Sequence, residues 1–77
     1  MTQSQLRTLS LALKRVSAKV TDLKRELSQY RDYAEKNFEE HDAEGQKAIS
    51  DLDNAISDLA KCKIKIHELR TQIVILQ

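Results

Sequence analysis

Two histidines, one cysteine and a cluster of acids are the side chains of this sequence with the means to do chemistry. His41 and His67 lie 26 residues apart. Cys62 stands five positions before His67, with Glu68 beside it. A metal bound on one helix needs ligands three or four residues apart, so that they share a face. A spacing of five does not provide that, and His67 reads as a packed or solvated histidine. Glu35, Glu39, Glu40, Asp42 and Glu44 form an acidic cluster. Carboxylates at such spacings more commonly make a solvated face than a metal site. No Ser-His-Asp arrangement, phosphate-cradling glycine loop or nucleotide motif is present. A rod of two helices also offers no enclosed pocket for a substrate. The expectation is a protein without catalytic, cofactor-binding or metal-binding residues, and not an enzyme.

The elements that position these residues follow from composition. The chain has 77 residues, one glycine, no proline and 32% charged residues. That balance belongs to long helices and coiled coils. A domain of this length buries a modest share of its surface and needs disulfides, a metal, regular helix packing or oligomerisation. A single cysteine removes disulfides within the chain. It also fits a reducing compartment.

The first half carries a strict heptad. Leu6, Leu9, Leu13, Val16, Val20, Leu23, Leu27, Tyr30 and Ala34 alternate in steps of three and four. A repeat this regular over four heptads reads as a coiled-coil seam. The next seam positions, Asn37 and His41, are polar, with Tyr33 and Phe38 beside them. Thr2 to Gln5 has the capping-box pattern that starts a helix. The stretch "HDAEGQK" at 41–47 holds the only glycine, a residue favoured just past a helix C-terminus. Ser50, with Asp51 and Asp53, suits the start of the next helix. The second seam reads Ile49, Leu52, Ile56, Leu59, Cys62, Ile66, Leu69, Ile73, Leu76. Two consecutive steps of three, around Leu59 and Cys62, form a stammer, which overwinds a supercoil. Cys62 falls on this seam and reads as a small core residue. The predicted fold is all-α, an antiparallel two-helix hairpin in one domain over 1–77. Helix one spans about 4–41, the turn about 42–46 and helix two about 47–76. Oligomerisation or a partner would complete it.

The end of the chain argues for that partner. Residues 73–76 are four apolar residues in a row, at a terminus that would otherwise fray. Ile73 and Leu76 belong to the seam. Ile75 lies off it with Ile64 and Ala60, and Val74 sits between the two faces. A stripe of apolar residues at helical spacing marks a surface meant to be buried. With a turn at 42–46, Gln77 pairs with about residue 11, so Leu6 and Leu9 overhang. Those two leucines are worth roughly 3–5 kcal/mol once covered. The expected partner-binding residues are therefore Leu6, Leu9 and Leu11 on helix one and Ile64, Val74 and Ile75 on helix two.

Charge is sorted along the chain. Residues 1–25 hold six bases and one acid, 26–58 ten acids and three bases, and 59–77 four bases and one acid. Folding the hairpin gathers bases at the open end and acids at the turn. Two hairpins packed head to tail, or a partner with an acidic surface, would match this pattern. RNA or DNA at the basic open end is the alternative, although a pI near 7.9 is low for a phosphate-binding domain. The bases flanking the C-terminal stripe also suit a membrane surface, but that end lacks the aromatics of interfacial helices. No run reaches the roughly 20 apolar residues of a membrane span. The N-terminus lacks the pattern of a signal peptide, so a cytoplasmic protein is expected.

The "MTQ" start followed by a leucine, and "DLDNAISDLAKCKIKI" at 51–66, carry a resemblance. With the hairpin plan as a whole, they resemble the small co-chaperones of type III secretion needle subunits. That resemblance implies a cytosolic hairpin that joins a larger repeat-helical chaperone. Together the two would hold the secreted needle subunit unpolymerised, and the uncovered apolar surface would be where the larger chaperone docks. "DAEGQ" is also similar to the turn of the plasmid RNA-binding hairpins that control copy number. The functional expectation is a protein-binding adaptor or co-chaperone. The alternative is a self-assembling bundle that binds nucleic acid.

Overall fold

A helix leaves its first N–H groups without partners, and this sequence answers that need twice. At the first start, Thr2 Oγ1 accepts from the Gln5 N–H at 3.1 Å and Gln5 Oε1 accepts from the Thr2 N–H at 2.9 Å. This is the capping box its spacing predicts. The computed structural model describes residues 1–37 and 42–77, and the first helix, α1, spans Gln3–Asn37. At the second start, Asp42 adopts an extended backbone and its carboxylate accepts from the N–H groups of Glu44 and Gly45. The second helix, α2, spans Ala43–Leu76. It ends with the Gln77 N–H donating to the carbonyls of Ile73 and Val74. There is no strand among the described residues.

The second helix begins earlier than the sequence predicts. Residues 43–46, expected in the turn, form its first turn, while α1 is described to Asn37 and its expected end near 41 lies outside the described residues. Residues 38–41, with Phe38, Glu39, Glu40 and His41, lie outside the described residues. Asp42 wins because its carboxylate satisfies two orphan N–H groups at once, a stronger start signal than glycine is a stop signal. Gly45 is buried within the helix and has no positive φ. Asp42→Ala should cost about 1 kcal/mol, read as a lower midpoint in urea melts followed by circular dichroism at 222 nm.

The register differs from the expected one as well. Gln3 Nε2 donates to the Gln77 carbonyl at 3.2 Å, so the free ends of the two helices are level. Leu6 and Leu9 do not overhang, and Leu6 is 7% exposed, packed in the hairpin. Toward the turn, Arg31 Nε donates to Asp53 on α2 while its Nη1 donates to Glu35 at 2.7 Å. The hydrogen bond and charge of Asp53, then of Glu35, hold the Arg31 guanidinium above its ordinary pKa.

The seam itself differs from the one read off the apolar residues. On α1, Leu6, Val20 and Ala34 are buried and Leu13 and Leu27 half-buried, one heptad position throughout. The second line packed toward α2 is Ser10, Ser17, Lys24 and Arg31, all half-buried. The predicted second line, Leu9, Val16, Leu23 and Tyr30, is 38, 44, 49 and 54% exposed. On α2 the inward residues are Gly45, Ile49, Leu52, Ile56, Leu59, Lys63, Ile66, Arg70 and Ile73. These alternate in steps of four and three without interruption, so the apparent stammer vanishes once Lys63 and Arg70 are counted. Long basic side chains can bury their stems and keep their heads in water, which makes them readable as surface residues when they are not. Cys62, expected in the core, is exposed for the same reason. The result is a rod with axes of 57, 14 and 12 Å.

Candidate protein-interaction face

Each helix therefore places one apolar heptad line in the hairpin and leaves another on one flank. Leu23 and Leu27 from α1 meet Ala55, Leu59 and Cys62 from α2 around a groove of about 550 Å³, edged by Asp58. The Gln3–Gln77 and Arg31–Asp53 hydrogen bonds set the alignment of the two exposed lines and bring Leu23 level with the stretch of α2 between Ala55 and Cys62. Val16 and Leu9 follow toward the open end on α1, as Leu69 and Leu76 do on α2. At the open end Leu9 sits with Met1, Gln5 and Ala12 around a further shallow depression. Leu69 (49%) and Leu76 (69%) complete an apolar strip that both helices supply along the length of the hairpin. Tyr30 points its hydroxyl to Glu26 Oε1 at 3.0 Å, and that bond raises the pKa of the phenol.

The opposite flank is polar and basic. Ser17, Lys24, Lys63, His67 and Arg70, with Ala60 and Ile64, line a groove of about 560 Å³. Thr21 and Ser28 on this side of α1 turn their hydroxyls back to the carbonyls of Ser17 and Lys24. Arg70 Nε is buried and meets no hydrogen-bond partner among the described residues.

The six residues expected to bind a partner do not form one patch. Leu6 is in the hairpin seam, placed there by the register. Leu9 is on the apolar flank. Leu11 is exposed on α1, away from both grooves' lining. Ile64 edges the basic groove, and Val74 and Ile75 share a shallow hollow with His67, Arg70 and Thr71. The four terminal apolar residues divide likewise: Ile73 is buried between the helices, Leu76 lies on the apolar flank, and Val74 and Ile75 face outward. Sequence reasoning missed Val16, Leu23 and Leu69 as surface residues. It assigned every apolar heptad position to the hairpin, although two helices touching along one line can bury only part of two such rows each. The unexplained double step of three was the available clue, since reading Lys63 and Arg70 into the seam removes it.

Among the described residues no three His, Cys, Asp or Glu side chains are grouped to hold a metal ion. His41, Glu39 and Glu40 of the acidic cluster lie outside them. No described helix is long and apolar enough to cross a membrane. No protein-family model, curated protein or solved structure matches this chain.

Proposed function

We propose that this chain is a non-catalytic protein-binding hairpin, an incomplete helical bundle that another helical surface completes. The observation that carries the reading is the apolar flank, where Leu9, Val16, Leu23, Leu69 and Leu76 are exposed at coiled-coil spacing on both helices. Scattered exposed apolar residues are ordinary, but a heptad-spaced strip shared by two helices has the form of a bundle interior. Its sharper form is a cytoplasmic adaptor or co-chaperone of a type III secretion needle subunit, with a larger helical chaperone as its partner. The resemblance of the start and of residues 51–66 supports that form, and so does a face suited to a partner's helix. The test compares two double variants by light scattering and circular dichroism. Leu23→Ser/Leu69→Ser should keep its helicity and weaken association at least tenfold. Ile64→Ser/Ile75→Ser, on the outward side of α2, should associate within about twofold of the parent. Equal association of parent and Leu23→Ser/Leu69→Ser would remove the reading.

A second reading draws on the other flank. Lys24, Lys63 and Arg70 are half-buried bases that face one groove, and no acid lines it. That arrangement suits phosphates, and a self-assembled bundle carrying it would bind RNA or DNA with an affinity that falls steeply with salt.

A further inference from the structure

We propose that the occupant of the apolar flank is a second copy of this chain, laid on antiparallel so that two hairpins close a four-helix bundle. This rests on the protein-binding reading of that flank and names a second copy, in place of the larger chaperone, as its occupant. Symmetry is the first reason. The row Leu9, Val16, Leu23, Tyr30 is centred between Val16 and Leu23, and the midpoint of Gln3–Asn37 is Val20. A two-fold axis across the middle of the rod therefore maps the row onto itself. Leu9 of one copy meets Tyr30 of the other, and Val16 meets Leu23. A partner with unrelated sequence places no such condition on where the row is centred.

Side-chain size is the second reason. Along the α2 flank the heptad line reads Ala48, Ala55, Cys62, Leu69, Leu76, small toward the turn and large toward the open end. Reversing one copy sets leucines opposite alanines, so the total volume stays even along the bundle, as close packing requires. In a parallel pair large would meet large at one end, leaving gaps at the other.

Charge is the third. The line bordering the apolar strip on α2 runs Glu44, Asp51, Asp58, Lys65, Gln72 at intervals of seven. Lys65 shares a surface hollow with Leu69, and Asp58 edges the groove at Leu23. In the antiparallel pair Lys65 of each copy comes level with Asp58 of the other, on either side of the Cys62 axis. A parallel pair sets that line against α1, where Glu26 lies toward the turn as Asp51 and Asp58 do, and acid meets acid, which is unfavourable. The area also suffices. A face of 57 by 14 Å is on the order of 800 Å², which is what a standard interface takes from each partner.

The position of Cys62 supplies the test. It lies exposed on this flank, close to the midpoint of Ala43–Leu76, so the two copies of Cys62 come together at the axis. Light scattering on the full chain should give twice its 8.9 kDa. Copper-phenanthroline should link the dimer through Cys62. In Cys62→Ser/Gln77→Cys the only thiol sits at the open end, roughly 50 Å from its counterpart at about 1.5 Å per residue, and should not link. Linking by Gln77→Cys as fast as by Cys62 would mean a parallel pair and overturns the proposal. A monomer at all concentrations from micromolar to submillimolar overturns it too. If that monomer binds anilinonaphthalene sulfonate, and Leu23→Ser/Leu69→Ser loses the dye, the flank remains a docking face for a different chain. If neither a dimer nor dye binding depends on Leu23 and Leu69, the protein-binding reading falls with it.

Discussion

Ile66→Ala should unfold most of the hairpin under conditions where Ile64→Ala leaves it folded. The two isoleucines are two residues apart on α2, yet Ile66 is 7% and Ile64 59% exposed. Ile66 lies with Ile73 on the line facing α1, where Leu6 and Val20 are also buried. Removing a buried isoleucine side chain costs about 2–5 kcal/mol in lost transfer energy and residual cavity. A domain this small rarely has more than about 3–5 kcal/mol from its core. One such cavity therefore consumes most of the stability. At Ile64 the same substitution removes atoms already in water, and alanine is the better helix former, so the change should stay within about 0.5 kcal/mol. Urea melts at 222 nm, at one protein concentration, separate the two. Similar losses at both positions would mean that the rod has a different rotation of α2.

The second large effect has the opposite sign. Lys63→Leu/Arg70→Leu should stabilise the hairpin by about 1–3 kcal/mol. Both residues occupy heptad positions that face α1, and both are half-buried. Their stems already pack there, so leucine keeps much of the contact and adds apolar area. The change also removes the buried Arg70 Nε that has no partner among the described residues. It takes two positive charges away from Lys24, which shares their groove. For a domain of 60–100 residues each kcal/mol raises Tm by roughly 4–8 °C, so the shift is easily read in a thermal melt. The same variant addresses the nucleic-acid reading. If the bases are kept for phosphates, binding to heparin and to single-stranded RNA should drop while Tm rises, a trade of stability for function. A lower Tm would show that Lys63 and Arg70 hold the seam by charge.

Much of this protein follows from local chemistry and periodicity. The absence of proline, the capping box at Thr2 and Gln5, and apolar residues at steps of three and four determine two long helices. A polar break between them, too short for a crossover, determines that they run antiparallel. The start of the second helix was less legible. Gly45 and Asp42 are three residues apart and give competing signals, and the contest is settled by which one satisfies more backbone donors. Only the tertiary structure decides how each apolar surface is shared out. A heptad pattern states that Leu6, Leu9, Leu13 and Val16 occupy one broad face of α1. It does not state which edge of that face meets α2, because rotation of the helix by about 50° exchanges one line for the other and keeps the period. That rotation is set jointly by the Gln3–Gln77 register, by the Arg31–Asp53 hydrogen bond, and by the stems of Lys63 and Arg70. Those are contacts between residues far apart in the chain, and their outcome is a hairpin that buries Leu6 and Ile66 while leaving Leu23 and Leu69 open.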